Sequence, residues 1–315
     1  MTISFPILTN SCFEATIADN SPRDIHKRGA NGVASLVIKE TGRNLFVPES
    51  CGLNYELFEL EGLPFFEPPE GSLFEPRWES LTIESADPRS VVMTQAETAY
   101  SHISTRIVFR VEEPYYLHQR LELTFHRRFC HENEKNRFSG LCASYIHQPP
   151  DPHLYLKADH TSPVLSGWIG LTKAFHRAPE LLIHPLPDGR EISTSAHLEA
   201  MCLEPSLKAP DPFIEIQAAS LWGHHLPYYY GLLADDLVFL MMFRRPETFR
   251  LAYSPNGGEP EQEIWNPAWD YVLYLEDAQV GQPYILYLCL ALKPYQGRAD
   301  VLREVERYLA SDICH

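Results

Sequence analysis

The sequence predicts an all-β fold, a large antiparallel β-sandwich closed by one short C-terminal helix. Three observations carry this. Short apolar runs of period two recur between chain breakers, of which Pro alone supplies 26. A strand alternates its side chains between two faces, so period two marks one face in a core and one outside it. No strand-helix-strand rhythm accompanies these runs, which argues against a parallel sheet. A helical stripe of apolar residues occurs only near the end of the chain.

The elements follow in order. Ser35 to Ile38, Leu81 to Glu84 and Val91 to Gln95 read as strands. Thr105 to Glu112 alternates through Ile107, Phe109 and Val111, and Glu113-Pro114-Tyr115-Tyr116 is a plausible hairpin connection to the next run. That run, Leu117 to Phe125, is the clearest. Leu117, Leu121, Leu123 and Phe125 share one face, and His118, Arg120, Glu122 and Thr124 the other. Phe213 to Ala219, Phe249 to Tyr253 and Tyr271 to Leu275 are further strands. Leu237 to Phe243 and Tyr284 to Leu292 are apolar on both faces, as strands covered on both sides are. The helix is drawn by Val301, Leu302, Val305, Tyr308 and Leu309, with Arg303, Glu304, Glu306 and Arg307 opposite. Pro64 to Pro76 and Pro205 to Pro212 read as loops crossing an edge, so residues 1–315 are expected to form a single β-sandwich domain.

Composition narrows the partners. A chain of 315 residues with 44% hydrophobic and 22% charged residues is long enough and apolar enough to bury a core. Its formal net charge of −16 argues against a nucleic-acid or anionic-membrane partner, because phosphate recognition needs a basic face. No run of about 18 apolar residues suggests a membrane-spanning helix. Met1 to Asn20 shows no basic stretch followed by an apolar one, so no secretory leader is expected. The seven Cys are scattered without CxxC spacing, and Cys142 and Cys289 sit in apolar surroundings. A reducing, cytoplasmic setting is therefore expected.

One loop stands out. Tyr253-Ser254-Pro255-Asn256-Gly257-Gly258 leads to Trp265-Asn266-Pro267-Ala268-Trp269-Asp270-Tyr271. Two Trp beside an amide and a carboxylate form either a packed lid or a binding surface. Flat rings suit the face of a sugar, and the polar groups suit its hydroxyls.

Three patterns resemble the galactose-mutarotase-like superfamily of aldose epimerases and their sugar-binding or sugar-cleaving relatives. The first is the early series Arg28-Gly29-Ala30-Asn31-Gly32-Val33, Asn44-Leu45-Phe46 and Gly52-Leu53-Asn54-Tyr55-Glu56, similar to the opening hairpins of that fold. The second is a His-bearing aromatic stretch in the middle of the chain. The third is Asp270, a polar residue before the last strands, where epimerases carry a carboxylate base. The resemblance implies a supersandwich fold and an acid His paired with a base. The spacing from Asp270 suits His176 or His184 better than His225.

The residues themselves offer these candidates. In Trp222-Gly223-His224-His225-Leu226-Pro227-Tyr228-Tyr229-Tyr230-Gly231 one imidazole faces a ligand in an aromatic-walled pocket, or both are structural. His225 is the first choice for a general acid or base and His184 the second, with Asp270 as carboxylate partner. Asp270 acts as a base only if apolar surroundings raise its pKa; otherwise it caps a turn or pairs with an Arg. Trp269, Trp265 and Trp222 are the stacking candidates, with Tyr229, His176 and Asn54 as further ligand contacts. Arg244 is placed to fork onto a sugar acid's carboxylate, or is simply a charge emerging from a sheet edge. No cofactor is expected. A divalent metal is the alternative, on a set drawn from His147, His153, His184 and His225, which has no HxH, HExxH or CxxC spacing behind it. Nor is there a GxSxG elbow, a P-loop or a GxGxxG.

The expected function is acid–base chemistry on a small-molecule carbohydrate. An isomerase of the aldose-epimerase kind and a carbon–oxygen lyase both fit. A non-catalytic sugar-binding protein and a purely structural protein are the other classes. The sequence leaves the oligomeric state open, a homodimer included.

Overall fold

The structure is a computed structural model. It describes residues 5–21, 30–47, 50–60, 74–131, 133–158, 167–172, 180–186, 207–210, 227–234, 236–245, 248–254 and 266–311. The chain gathers into two compact units: Met1–His147, Glu247–Arg250 and Asp270–Leu288 in one, and Gln148–Pro246, Leu251–Trp269 and Cys289–His315 in the other.

In the first unit, β1 (Ile7–Thr9), β2 (Phe13–Ala18) and β3 (Gly32–Ile38) form a three-stranded antiparallel sheet. After β4 (Asn54–Leu60) comes α1 (Glu75–Trp78), a single turn that the Pro-based reading treats as loop. Pro76 presets the backbone near its start. The buried Glu75 carboxyl accepts the backbone N–H groups of Tyr100 at 2.6 Å and Ser101 at 3.0 Å. Next, β5 (Thr82–Asp87), β6 (Ser90–Gln95), β7 (Ile103–Glu112) and β8 (Tyr116–Phe125) lie side by side in chain order, all antiparallel. The expected hairpin is present: the β7–β8 ladder runs from Ile103↔Phe125 to Glu112↔Tyr116. Leu117, Leu121, Leu123 and Phe125 are buried, and Gln119 shares their face. Last comes β9 (Phe138–Ala143).

The second unit contains β10 (Leu154–Ala158), β11 (Gly167–Thr172), β12 (Glu180–Leu186), β13 (Leu207–Pro210), β14 (Tyr228–Leu232) and β15 (Leu237–Phe243). Their order across the sheet is β13-β12-β11-β10-β14-β15. All seven residues of β15 are buried, as its uninterrupted apolar run predicts. β13 lies in the expected Pro205 to Pro212 loop and corrects that reading. Its Pro210 lies in an edge strand opposite Glu180 of β12, the kind of strand to which proline is largely confined within sheets. Phe213 to Ala219 lies outside the described residues.

Three more strands complete the set: β16 (Phe249–Ser254), β17 (Ala268–Leu275) and β18 (Pro283–Pro294). In the first unit β17 pairs with β9, whose other edge pairs with β4. β18 refines the expectation for its sequence. Its first half mixes buried and partly exposed residues, and only Leu288 to Lys293 is buried throughout. Helix α2 (Arg298–Ala310) buries Val301, Val305 and Tyr308 as its stripe predicts. Glu304 departs from the expected polar face, because buried Lys293 lies 3.0 Å from it and 2.8 Å from Asp300. Among the described residues the architecture is all-β with large antiparallel sheets and one short C-terminal helix. No described helix is long and apolar enough to cross a membrane.

Candidate functional site

The first unit concentrates buried polar groups where β4, β9 and β17 run together. Asn54 of β4 stands opposite Ala143 of β9, and Cys142 faces Tyr55 on one side and Tyr271 on the other. One residue past β9, the Ser144 N–H donates to Asp270 Oδ1 at 2.8 Å. Ser144 Oγ in turn accepts the Leu53 N–H at 3.0 Å. Gln119 Nε2 donates to the Leu53 carbonyl at 3.3 Å, and Tyr271 donates its hydroxyl to Gln119 Oε1. This chain of bonds fixes both flanks of β9.

Asp270 is 3% exposed, and among the described residues its carboxyl accepts the Ser144 N–H. Burial pushes its pKa well above the usual carboxylate range. The Ser144 N–H pulls the other way, and the negative charge of Glu56 adds to the rise. Asn54 is 1% exposed, and its Oδ1 has no partner among the described residues. Strands lie about 4.8 Å apart, so the backbones of β4 and β17 are separated by roughly 10 Å across β9. Ala143, the small residue between them, takes up little of that width.

Glu56 sits where a β-bulge shifts the β4–β9 register, and it forms a 2.5 Å ion pair with Arg77 of α1, both side chains buried. Sequence reasoning placed Glu56 in the series similar to the opening hairpins but missed Arg77, for which nothing local gives a signal. The Cys142 thiol is pushed up to about 12 by burial, which makes it a poor nucleophile.

The structure places the other described candidates as follows. Trp269 is fully buried in the second unit. Its indole N–H donates to the Pro152 carbonyl at 3.1 Å and its ring packs on Gly231 and Phe239, so no ring face is left for a sugar. Tyr229 is equally buried, and its hydroxyl donates to the Trp269 carbonyl at 3.0 Å. Arg244 is taken by the end of α2. It donates to the carbonyls of Leu309 at 3.0 Å and Ser311 at 2.5 Å and lies over the Tyr308 ring at 4.7 Å. That guanidinium is therefore engaged in joining β15 to α2.

The described histidine candidates are dispersed. His147 belongs to the first unit. Its backbone bonds to Leu45 and Arg43, and its buried Nδ1 has no partner among the described residues. His153 belongs to the second unit and contacts Asp151. His184 stands in β12 opposite Gly170 of β11. His225, His176, Trp222 and Trp265 lie outside the described residues. Among the described residues no three His, Cys, Asp or Glu side chains gather as metal ligands.

No protein-family model matches the chain, and no curated protein matches it in sequence. Solved structures do. A putative aldose 1-epimerase from Escherichia coli K12 is 9% identical with a TM-score of 0.47, covering 92% of this chain and 98% of its own. A GalM/aldose epimerase homologue from C. elegans is 8% identical with a TM-score of 0.46, covering 93% and 99%. An α-N-acetylgalactosaminidase from Bifidobacterium bifidum, in a GalNAc complex, is 10% identical with a TM-score of 0.49; 96% of this chain spans 38% of that enzyme. Such identities carry no statement about activity.

Proposed function

We propose that this protein is a carbohydrate-active enzyme that uses Asp270 as the base of an acid–base pair acting on a sugar ring. The observation that carries the reading is Asp270 itself, a buried carboxyl with a raised pKa that accepts the Ser144 N–H, on the strand two across from Asn54, whose buried Oδ1 has no partner among the described residues. A higher pKa makes the ionised carboxylate a stronger proton acceptor. Asn54 Oδ1 accepts a hydroxyl proton, so the two groups together suit a hydroxyl-bearing ligand.

In the reaction, Asp270 takes the proton of the anomeric hydroxyl while an imidazole protonates the ring oxygen. The bond from the anomeric carbon to the ring oxygen breaks and the open aldehyde forms. Reclosure on the other face returns both protons and yields the other anomer. Elimination from a sugar acid is the weaker form of the reading, since the Arg244 guanidinium expected to hold the acid is bonded to α2. A non-catalytic sugar-binding protein is the second reading, in which Trp269 and Tyr229, both used structurally, would not form the contacts to the sugar.

A thermal-shift panel of neutral sugars, sugar acids and keto-sugars tests this, with and without chelator. A ligand at about 100 times its dissociation constant adds roughly 2.7 kcal/mol. Anomer exchange on each hit, followed by NMR, is expected to fall about 100-fold or more in Asp270→Asn with binding retained. Binding without exchange selects the second reading, and a panel without hits rejects both.

A further inference from the structure

The reading of Asp270 leaves unused a buried ion pair of the same unit. Arg77 Nη1 donates to Glu56 Oε1 at 2.5 Å, and both side chains are buried. Glu56 is the extra residue of the β4 bulge, between Tyr55 opposite Cys142 and Leu57 opposite Leu141. A bulge breaks the alternation of a strand and re-aims a side chain. Arg77 belongs to α1, and that turn is fixed from other elements. Asn20 Nδ2 donates to the carbonyls of Pro76 and Glu79, both at 2.6 Å, and Gln95 Nε2 to the same two, both at 3.1 Å. Bulge and turn together hold the Glu56 carboxylate in one place.

Asp270 shares its surroundings. Tyr271, the next residue of β17, faces Cys142, which faces Tyr55 on its other side. Burial is the chief reason that the Cys142 thiol and the Tyr145 phenol are raised, and the charges of Asp270 and Glu56 add to the rise at both. Arg77 opposes it at Tyr145. The Tyr55 phenol is raised as well, first by burial and then by Cys142 and Glu75. Two carboxylates within reach of each other in a buried setting are costly to ionise together. A guanidinium compensates the carboxylate that it touches, which is Glu56. Asp270 is given a backbone N–H and, among the described residues, no cation.

We propose that Glu56 is a positioning residue for Asp270, with Arg77 as its anchor: the Glu56 carboxylate, kept ionised by the guanidinium, directs the proton for which the two carboxyl groups compete onto Asp270 and so strengthens Asp270 as a base. Without the negative charge at Glu56, Asp270 ionises at lower pH. The use of this charge in turnover rests on the reading of Asp270 as the base, whereas the charge effect itself does not.

Carbon-13 NMR of the aspartate side-chain carboxyls in the full chain tests it without a ligand, the Asp270 signal being identified by its loss in Asp270→Asn. The wild-type signal is expected to titrate above the ordinary carboxylate range, and in Glu56→Gln its midpoint is expected to move to lower pH. Glu56→Gln takes the carboxylate away from Arg77. Where that prevents folding, the double variant with Arg77→Met removes both partners, the milder change for a buried pair, and its midpoint is expected to move the same way. An Asp270 midpoint that stays in place or rises overturns the proposal. If a sugar is turned over, the pH at which anomer exchange switches on is expected to fall together with the NMR midpoint, and a profile that does not move overturns the proposal as well. A midpoint that falls in a protein that turns over no sugar rejects the base reading and supports the charge effect. Turnover lost in Asp270→Asn beside an unmoved midpoint does the reverse, so the two failures are separable.

Discussion

The ring of Trp269 lies so close over Gly231 that a Cβ at that glycine would stand 2.2 Å from its Cη2 and 2.3 Å from its Cζ3. Gly231 interrupts the apolar run of β14, and Trp269 fills the space that the missing side chain leaves. The indole that reads as a sugar platform in the sequence is thus a core residue of the second unit.

Gly231→Ala is therefore expected to destabilise the protein by about 1–3 kcal/mol, the usual range for overpacking a dense interior. Trp269→Leu should relieve part of that loss when combined with Gly231→Ala. Urea unfolding of the two single variants and the double variant reads the effect. A neutral Gly231→Ala would show that the ring moves aside freely.

Burial also sets a pH dependence through Asp270. Its folded pKa lies above the unfolded value of about 3.9. Below the unfolded value the carboxyl is protonated in both states, and its burial carries no ionisation cost. As pH rises through the folded pKa the unfolded chain binds fewer protons than the native one, so stability falls. Relative to Asp270→Asn, which keeps an acceptor for the Ser144 N–H, the wild type should lose stability as pH rises above the unfolded pKa of about 3.9. Parallel unfolding curves across that range would mean that Asp270 is not held above its ordinary pKa.

Arg244 is expected to matter for α2 and not for a ligand. Arg244→Met keeps an apolar stem against Tyr308 and removes the donors to Leu309 and Ser311. The loss should be about 1.5–3 kcal/mol, as for hydrogen bonds from a charged group. Amide hydrogen exchange should rise across Arg298–Ala310. If Arg244→Met instead abolishes binding of a sugar acid and leaves α2 exchange unchanged, the fork onto a carboxylate returns as its role.

The chain wrote its strands plainly. The alternation of Leu117 to Phe125 and the two-sided apolar run of Leu237 to Phe243 predict their burial. The stripe of Val301, Val305 and Tyr308 does so for the helix. Backbone geometry imposes these periods locally, so a reader of the sequence alone can see the class of fold, the order of most elements and the core face of each. Partnership is another matter. Glu304 is buried because Lys293 waits in another element, Arg244 is bound by residues 65 and 67 positions away, and Trp269 is matched to a glycine in a distant strand. The raised pKa of Asp270 likewise depends on the strands that surround it. Local sequence determines which face of an element is apolar, whereas burial of a charge or an indole depends on what folding brings against it from far along the chain. Only the tertiary structure decided those.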